Sequence, residues 1–142
     1  MFATSTGDNR FNDRLPDISE SYYENYLSVL RGLETRLRQF DRQSLPSADQ
    51  LNFDIYSRLL ANEIGLLGFH AYRMPISKAG GFHTYFPELY LQMPMGTEQD
   101  YENYISRLAA FQQYVEGHLE IMRAGLREGQ ILKRGADIQD DV

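Results

Sequence analysis

The 142-residue chain contains no cysteine. Disulfides, thiolate metal sites and cysteine nucleophiles are therefore excluded together, and the redox compartment is left open. Tryptophan is also absent, although 10 Tyr and 8 Phe supply ample aromatic surface. Tyr joins an apolar ring to a polar tip, so many of these rings are expected at the rims of helix contacts. Basic residues are outnumbered, with 14 Lys and Arg against 20 Asp and Glu, a net charge of −6. A nucleic-acid partner is not expected, because phosphate neutralisation needs clustered cations. Arg31, Arg36, Arg38 and Arg42 form the one dense basic group; Glu34 and Asp41 dilute it, and it reads as a solvated face. No run approaches the ~18 apolar residues of a membrane span. The opening MFATSTGDNRFNDRLPD lacks the basic and apolar regions of a signal peptide, so no leader is expected in this chain and the compartment stays undetermined.

Several catalytic signatures are missing as well. No Glu-x-x-His occurs for a di-metal bundle site, and no His-Glu-x-x-His for a zinc protease. Neither a Gly-x-Ser-x-Gly nucleophile elbow nor a Gly-x-x-x-x-Gly-Lys phosphate loop is found. The three histidines, His70, His83 and His118, are scattered along the chain. No catalytic, cofactor-binding or metal-binding residue is assigned, and no cofactor is expected in this chain. Gly80-Gly81 reads first as a turn, with a cleft formed by Lys78, His83 and Tyr85 as the alternative.

What is present is helical periodicity. Apolar residues among 42% hydrophobic and 24% charged positions make ordinary globular composition for one domain. Residues 1–18 are polar and read as an irregular arm. Asp17 or Ser19 can cap a first helix, in which Tyr23, Tyr26, Leu27, Leu30, Leu33, Leu37 and Phe40 recur at helical spacing as far as Asp41. Ser44-Leu45-Pro46-Ser47 breaks it, and Ser47 with Gln50 predicts a capping box. The second helix is apolar on more than one stripe and is expected to be the most buried, flanked on two sides. Gly65 and Gly68 within it suggest close approach of a neighbouring backbone. Residues 75–96 read as a long loop with a short helix over Thr84–Gln92. Thr97 and Asp100 form a second capping box, and Gly129 is placed to end the last helix. On that helix Tyr104, Leu108, Phe111, Val115, Met122 and Leu126 share one stripe, while Asp100, Glu102 and Arg107 read as helix-start and face charges.

The expected fold is all-α: three long antiparallel helices, at about 19–41, 48–73 and 98–128, with a long loop or short helix between the second and third. They form a partial bundle within a helical domain over 19–129, followed by a tail over 130–142. One stripe on each of three helices gives a thin core, so a further covering element is expected, from the same polypeptide or from self-association.

Three stretches together carry a family resemblance. They are Gly7-Asp8-Asn9-Arg10-Phe11-Asn12 with Leu15-Pro16-Asp17 and Ser19; Leu51-Asn52-Phe53-Asp54-Ile55 leading to Tyr72 and Pro75; and Gly80-Gly81, Pro87, Thr97, Asp100-Tyr101-Glu102-Asn103-Tyr104-Ile105, Arg107-Leu108, Met122-Arg123 and Gly125. In order and spacing they resemble the N-terminal part of the bacterial family called domain of unknown function 885. The resemblance implies a longer, mostly helical, zinc-peptidase-like protein whose later region carries a His-Glu pair followed by Pro-Gly-His. No position of this chain matches that motif, so no zinc ligand or base is carried over. The chain also has Lys133-Arg134 where the family often has a proline. The resemblance thus implies an N-terminal scaffold segment of a zinc-hydrolase-like protein, inactive alone. The alternative from the residues is a stand-alone helical module that self-associates.

Overall fold

The computed structural model describes residues 2–77 and 79–130. It is predominantly helical, with helices α1 (Phe2–Ser5), α2 (Glu20–Leu37), α3 (Ser47–Gly68), α4 (Phe82–Tyr85) and α5 (Glu98–Arg127). Strands β1 (Ile76–Ser77) and β2 (Gly80–Gly81) form a small antiparallel ladder that pairs Ile76 with Gly81 and Ser77 with Gly80. The chain divides into two compact units: residues 19–72, and residues 1–18 together with 73–142.

The contiguous unit is a helical hairpin. Ser19 caps α2, its hydroxyl oxygen accepting from the Tyr22 amide at 3.2 Å. Leu30, Leu60 and Leu67 are buried between α2 and α3, with Tyr26, Leu27, Leu33, Leu37 and Ile64 packed around them. At one end Tyr23 stacks on Tyr72, ring centroids 3.9 Å apart; at the other Arg42 forks onto Asp54 at 2.7 and 2.6 Å. Contacts at these opposite ends fix the two helices as antiparallel.

The periodicity ran past the true ends. α2 closes at Leu37, because Asp41 caps a 3₁₀ turn over Arg42–Ser44, accepting from the Gln43 amide at 3.0 Å. α3 closes at Gly68; His70 follows in the left-handed region at φ 53°. The capping box expected at Ser47 and Gln50 does not form. Ser47 already lies inside the helix behind Pro46, and the Gln50 side chain instead donates to the Leu45 carbonyl at 2.8 Å.

α3 is also not flanked on both sides. Phe53, Leu60, Ile64 and Leu67 face α2, whereas Leu51, Ile55, Leu59, Leu66 and Phe69 are exposed on the opposite side. Phe69 is 79% exposed. The backbone approach expected at Gly65 and Gly68 is not seen: a methyl group at either would meet nothing within 4 Å. Gly65 instead floors a shallow depression lined by Ala61, Asn62, Leu66 and Phe69.

The second unit is built on α5, a helix of 30 residues spanning ~45 Å at ~1.5 Å per residue. Its capping box forms as expected: the Thr97 amide donates to Asp100 Oδ2 at 2.9 Å, and the Asp100 amide to Thr97 Oγ1 at 3.3 Å. The Thr97 hydroxyl, donating to Asp100 Oδ2 at 2.8 Å, and with it the Thr97 and Gly96 amides, hold the Asp100 carboxyl below the usual carboxylate range. Gly129 ends the helix at φ 76°, and the Gln130 amide reaches back to the Gly125 carbonyl at 2.9 Å. Residues 75–96 are folded rather than open: the β-ladder, then α4, then a 3₁₀ turn over Leu89–Leu91. The short helix expected over Thr84–Gln92 is therefore split, with Pro87 between two pieces. Phe86, Leu89 and Met93 are buried there beside Leu15, Tyr104 and Phe111, and the Phe86 and Phe111 rings stack at 3.6 Å.

Candidate functional site

The inward stripe of α5 runs Tyr104, Arg107, Phe111, Tyr114, His118, Ile121 and Gly125. It alternates steps of three and four, as a packed helix face must. Leu108 and Leu126, which the sequence placed on the packed stripe, are exposed instead. Two polar side chains occupy the packed face, and both are almost fully buried: Arg107 is 1% and His118 5% exposed.

Arg107 clamps the N-terminal arm. Its Nε donates to the Arg14 carbonyl at 2.9 Å, and its Nη2 to the Phe11 carbonyl and Thr4 Oγ1, each at 2.9 Å. The Thr4 hydroxyl in turn donates to Asn12 Oδ1 at 2.7 Å, and Asn12 Nδ2 to Asn9 Oδ1 at 2.9 Å. Each donor in this relay is already an acceptor, which strengthens the chain of bonds. Among the described residues no carboxylate bonds to the guanidinium, and Nη1 is buried with no hydrogen-bond partner. Burial draws the Arg107 pKa down, with the Asp13 charge opposing; a guanidinium stays protonated all the same. The arm, expected to be irregular, is thus an ordered α1 and a 3₁₀ turn over Asn9–Phe11. Surface pairs stiffen it: Asp8 with Arg10 at 2.7 Å, which pulls the Asp8 carboxyl down to about 2, and Asp13 with Arg14 at 2.8 Å.

The reading of Arg107 as a surface charge is therefore corrected. Its side chain points at the arm because 107 lies three residues from 104 and four from 111 on the packed face, and the arm's carbonyls supply the acceptors that face lacks. Of the residues that meet here, Asn9, Phe11, Asn12 and Arg107 lie within the stretches that carry the family resemblance, while Thr4 and Arg14 lie outside them.

His118 is held by aromatics. Phe82 lies parallel to it at 4.1 Å, and Tyr114 meets it edge-on at 4.5 Å. Neither ring nitrogen has a hydrogen-bond partner among the described residues, and burial lowers its pKa. Burial also raises the Tyr114 hydroxyl. His83 is exposed on α4, and His70 lies in the other unit beside Tyr72 at 5.8 Å. Among the described residues no group of three or more His, Asp or Glu is placed to hold a metal ion.

Gly80-Gly81, read first as a turn, instead forms strand β2, just past the turn at Ala79. Gly81 is buried, and a Cβ there would sit 2.5 Å from the Pro75 carbonyl oxygen. Its amide donates to Thr84 Oγ1 at 3.1 Å, and the Thr84 hydroxyl returns to the Gly81 carbonyl at 2.8 Å. Tyr85 curls back over Gly80. Lys78, the third residue of the suggested cleft, lies outside the described residues, as does the tail with Lys133-Arg134.

The basic group on α2 is exposed, with Arg38 paired to Glu34 at 2.7 Å. No helix among the described residues is long and apolar enough to cross a membrane.

Sequence reasoning missed Arg107 and His118 because polar residues on a helix read first as surface. One signal was available: Tyr104, Phe111, His118 and Gly125 recur at steps of seven, interleaved with Arg107, Tyr114 and Ile121.

Compared with known proteins, residues 1–136 match the family model described as bacterial protein of unknown function (DUF885). No curated protein matches the chain, and no solved structure does.

Proposed function

The chain belongs to the bacterial DUF885 family, and from that premise we propose that it is an N-terminal helical scaffold segment of a zinc-hydrolase or peptidase-like protein. It contributes no catalytic or metal-binding residue and has no turnover alone. The observation that carries this reading is the outward face of α3, where Leu51, Ile55, Leu59, Leu66 and Phe69 stand exposed. An apolar face of that length favours burial, at ~25 cal/mol for each Å² covered, and the catalytic remainder of the polypeptide is the partner proposed for it.

The test is to assay the purified chain for zinc-dependent peptidase and esterase activity while measuring bound metal. Turnover stoichiometric with zinc overturns the reading. Sequencing past the codon for Val142 is the companion test. A frame that continues to His-Glu and Pro-Gly-His supports it, and a stop codon with no neighbouring gene supplying the motif removes the hydrolase.

A second reading, a helical module that self-associates, is favoured by a different observation: α5 also carries an outward apolar seam.

A further inference from the structure

Beside its packed stripe, α5 carries a second heptad seam that is largely exposed among the described residues. Tyr101, Leu108, Val115 and Met122 recur at steps of seven, interleaved with Ile105, Gln112, Leu119 and Leu126. The alternating steps of three and four persist from residue 101 to 126, the pattern that keeps one edge facing a partner helix. Tyr101, Ile105, Leu108, Leu119 and Leu126 are exposed, Ile105 at 62% and Leu108 at 44%, whereas Val115 and Met122 are half-buried.

We infer that this seam pairs antiparallel with the same seam of a second copy of the chain. The pattern is complementary to itself about a point between Gln113 and Tyr114. Reversal sets Ile105 against Met122 and Leu108 against Leu119, each large and apolar. Tyr101 then meets Leu126 at the outer layers, and Gln112 meets Val115 at the centre. In such a pair the charged positions flanking the seam come together as well. Glu102 of one copy falls beside Arg123 of the other, twice by symmetry. Both side chains are exposed on the same edge of the helix. A parallel pair would leave those charges ~30 Å apart, at ~1.5 Å for each of the intervening residues. On the opposite flank lie Tyr104, Phe111, His118 and Gly125, turned inward, so only the Glu102–Arg123 edge is free to select orientation.

This inference rests on the self-association reading and is independent of the hydrolase one. Sedimentation equilibrium of the full chain is expected to show a concentration-dependent dimer. Leu108→Glu abolishes it, and circular dichroism shows unchanged helix content. Glu102→Arg weakens the dimer about tenfold by placing like charges together, and the double variant Glu102→Arg with Arg123→Glu restores it. A chain that remains monomeric at about 100 µM overturns self-association itself. A dimer that survives Leu108→Glu leaves self-association standing and overturns the α5 seam, pointing to the α3 face instead. Failure of the double variant to restore the dimer overturns the antiparallel arrangement.

Discussion

Replacing Arg107 by Met keeps the length of the side chain and removes its fork. Three charge-assisted hydrogen bonds disappear, to the Arg14 and Phe11 carbonyls and to Thr4. Bonds of that kind contribute about 1.5–3 kcal/mol each, so the gross loss is about 4.5–9 kcal/mol. Against it stands the relief of no longer burying a cation with an unpartnered Nη1, worth several kcal/mol. The net expectation is a destabilisation of about 3–5 kcal/mol, a large share of the ~5–15 kcal/mol that holds a domain folded. Urea unfolding of the full chain reads that loss, and limited proteolysis locates it, with new cleavage expected between residues 5 and 18. Arg107→Lys separates fork from charge: one ammonium cannot span three acceptors set around a planar group, so this variant is expected to lose most of the same stability. A shift below about 0.5 kcal/mol for the Met variant, with the arm still protected, refutes the clamp. Wild-type stability in the Lys variant refutes the role given to the fork.

Two further outcomes follow from buried positions. Burial lowers the His118 pKa in the folded chain, so its contribution is intact above the ordinary value of 6.5 and is lost as pH falls from there toward the folded value. Stability is expected to fall between pH 7.5 and 5 with a slope of up to ~1.4 kcal/mol per unit, and His118→Leu flattens that slope. The depressed carboxyls of Asp13 and Asp100 act only near and below their ordinary 3.8, outside this window. A variant with the same acid slope refutes the assignment to His118.

The helical glycines differ in sign. A methyl group at Gly125 meets Arg73 Cβ at 3.1 Å and its carbonyl at 3.4 Å, and Arg73 is itself buried and paired with Glu128. Gly125→Ala is expected to cost about 1 kcal/mol net, overpacking outweighing the gain in helix propensity. Gly65→Ala, which meets nothing, gains about 0.5–1 kcal/mol. Equal thermal shifts for the two variants refute the contact at Arg73.

Much of this arrangement is legible in the sequence where one residue decides the matter locally. Ser19, the Thr97 and Asp100 box and Gly129 each act within a single turn, and each is found in its expected role. The pairing of α2 with α3 follows from one clean stripe and a short connection. Legibility ends where two periods overlap. Most residues on two adjacent seams of α5 are apolar or aromatic, and spacing alone does not say which seam is inward. The stripe through Tyr104, Leu108 and Phe111 straddled both. What turns α5 is the arm, whose carbonyls need a cation, and that demand is written ninety-three or more residues away from the residue that meets it. Likewise α3 carries two apolar faces, and α2 covers one of them.

The separation between Arg107 and the arm also sets an order of events during synthesis. Thr4 and Phe11 leave the ribosome 103 and 96 residues ahead of the side chain that anchors them. At ~5–20 residues per second the arm waits some ~5–20 s with its acceptors turned to water. The whole α2–α3 hairpin, residues 19–72, is synthesised within that interval. α5, the longest helix among the described residues, therefore recruits residues made long before it, and a nascent chain halted before residue 107 lacks the side chain that holds the arm.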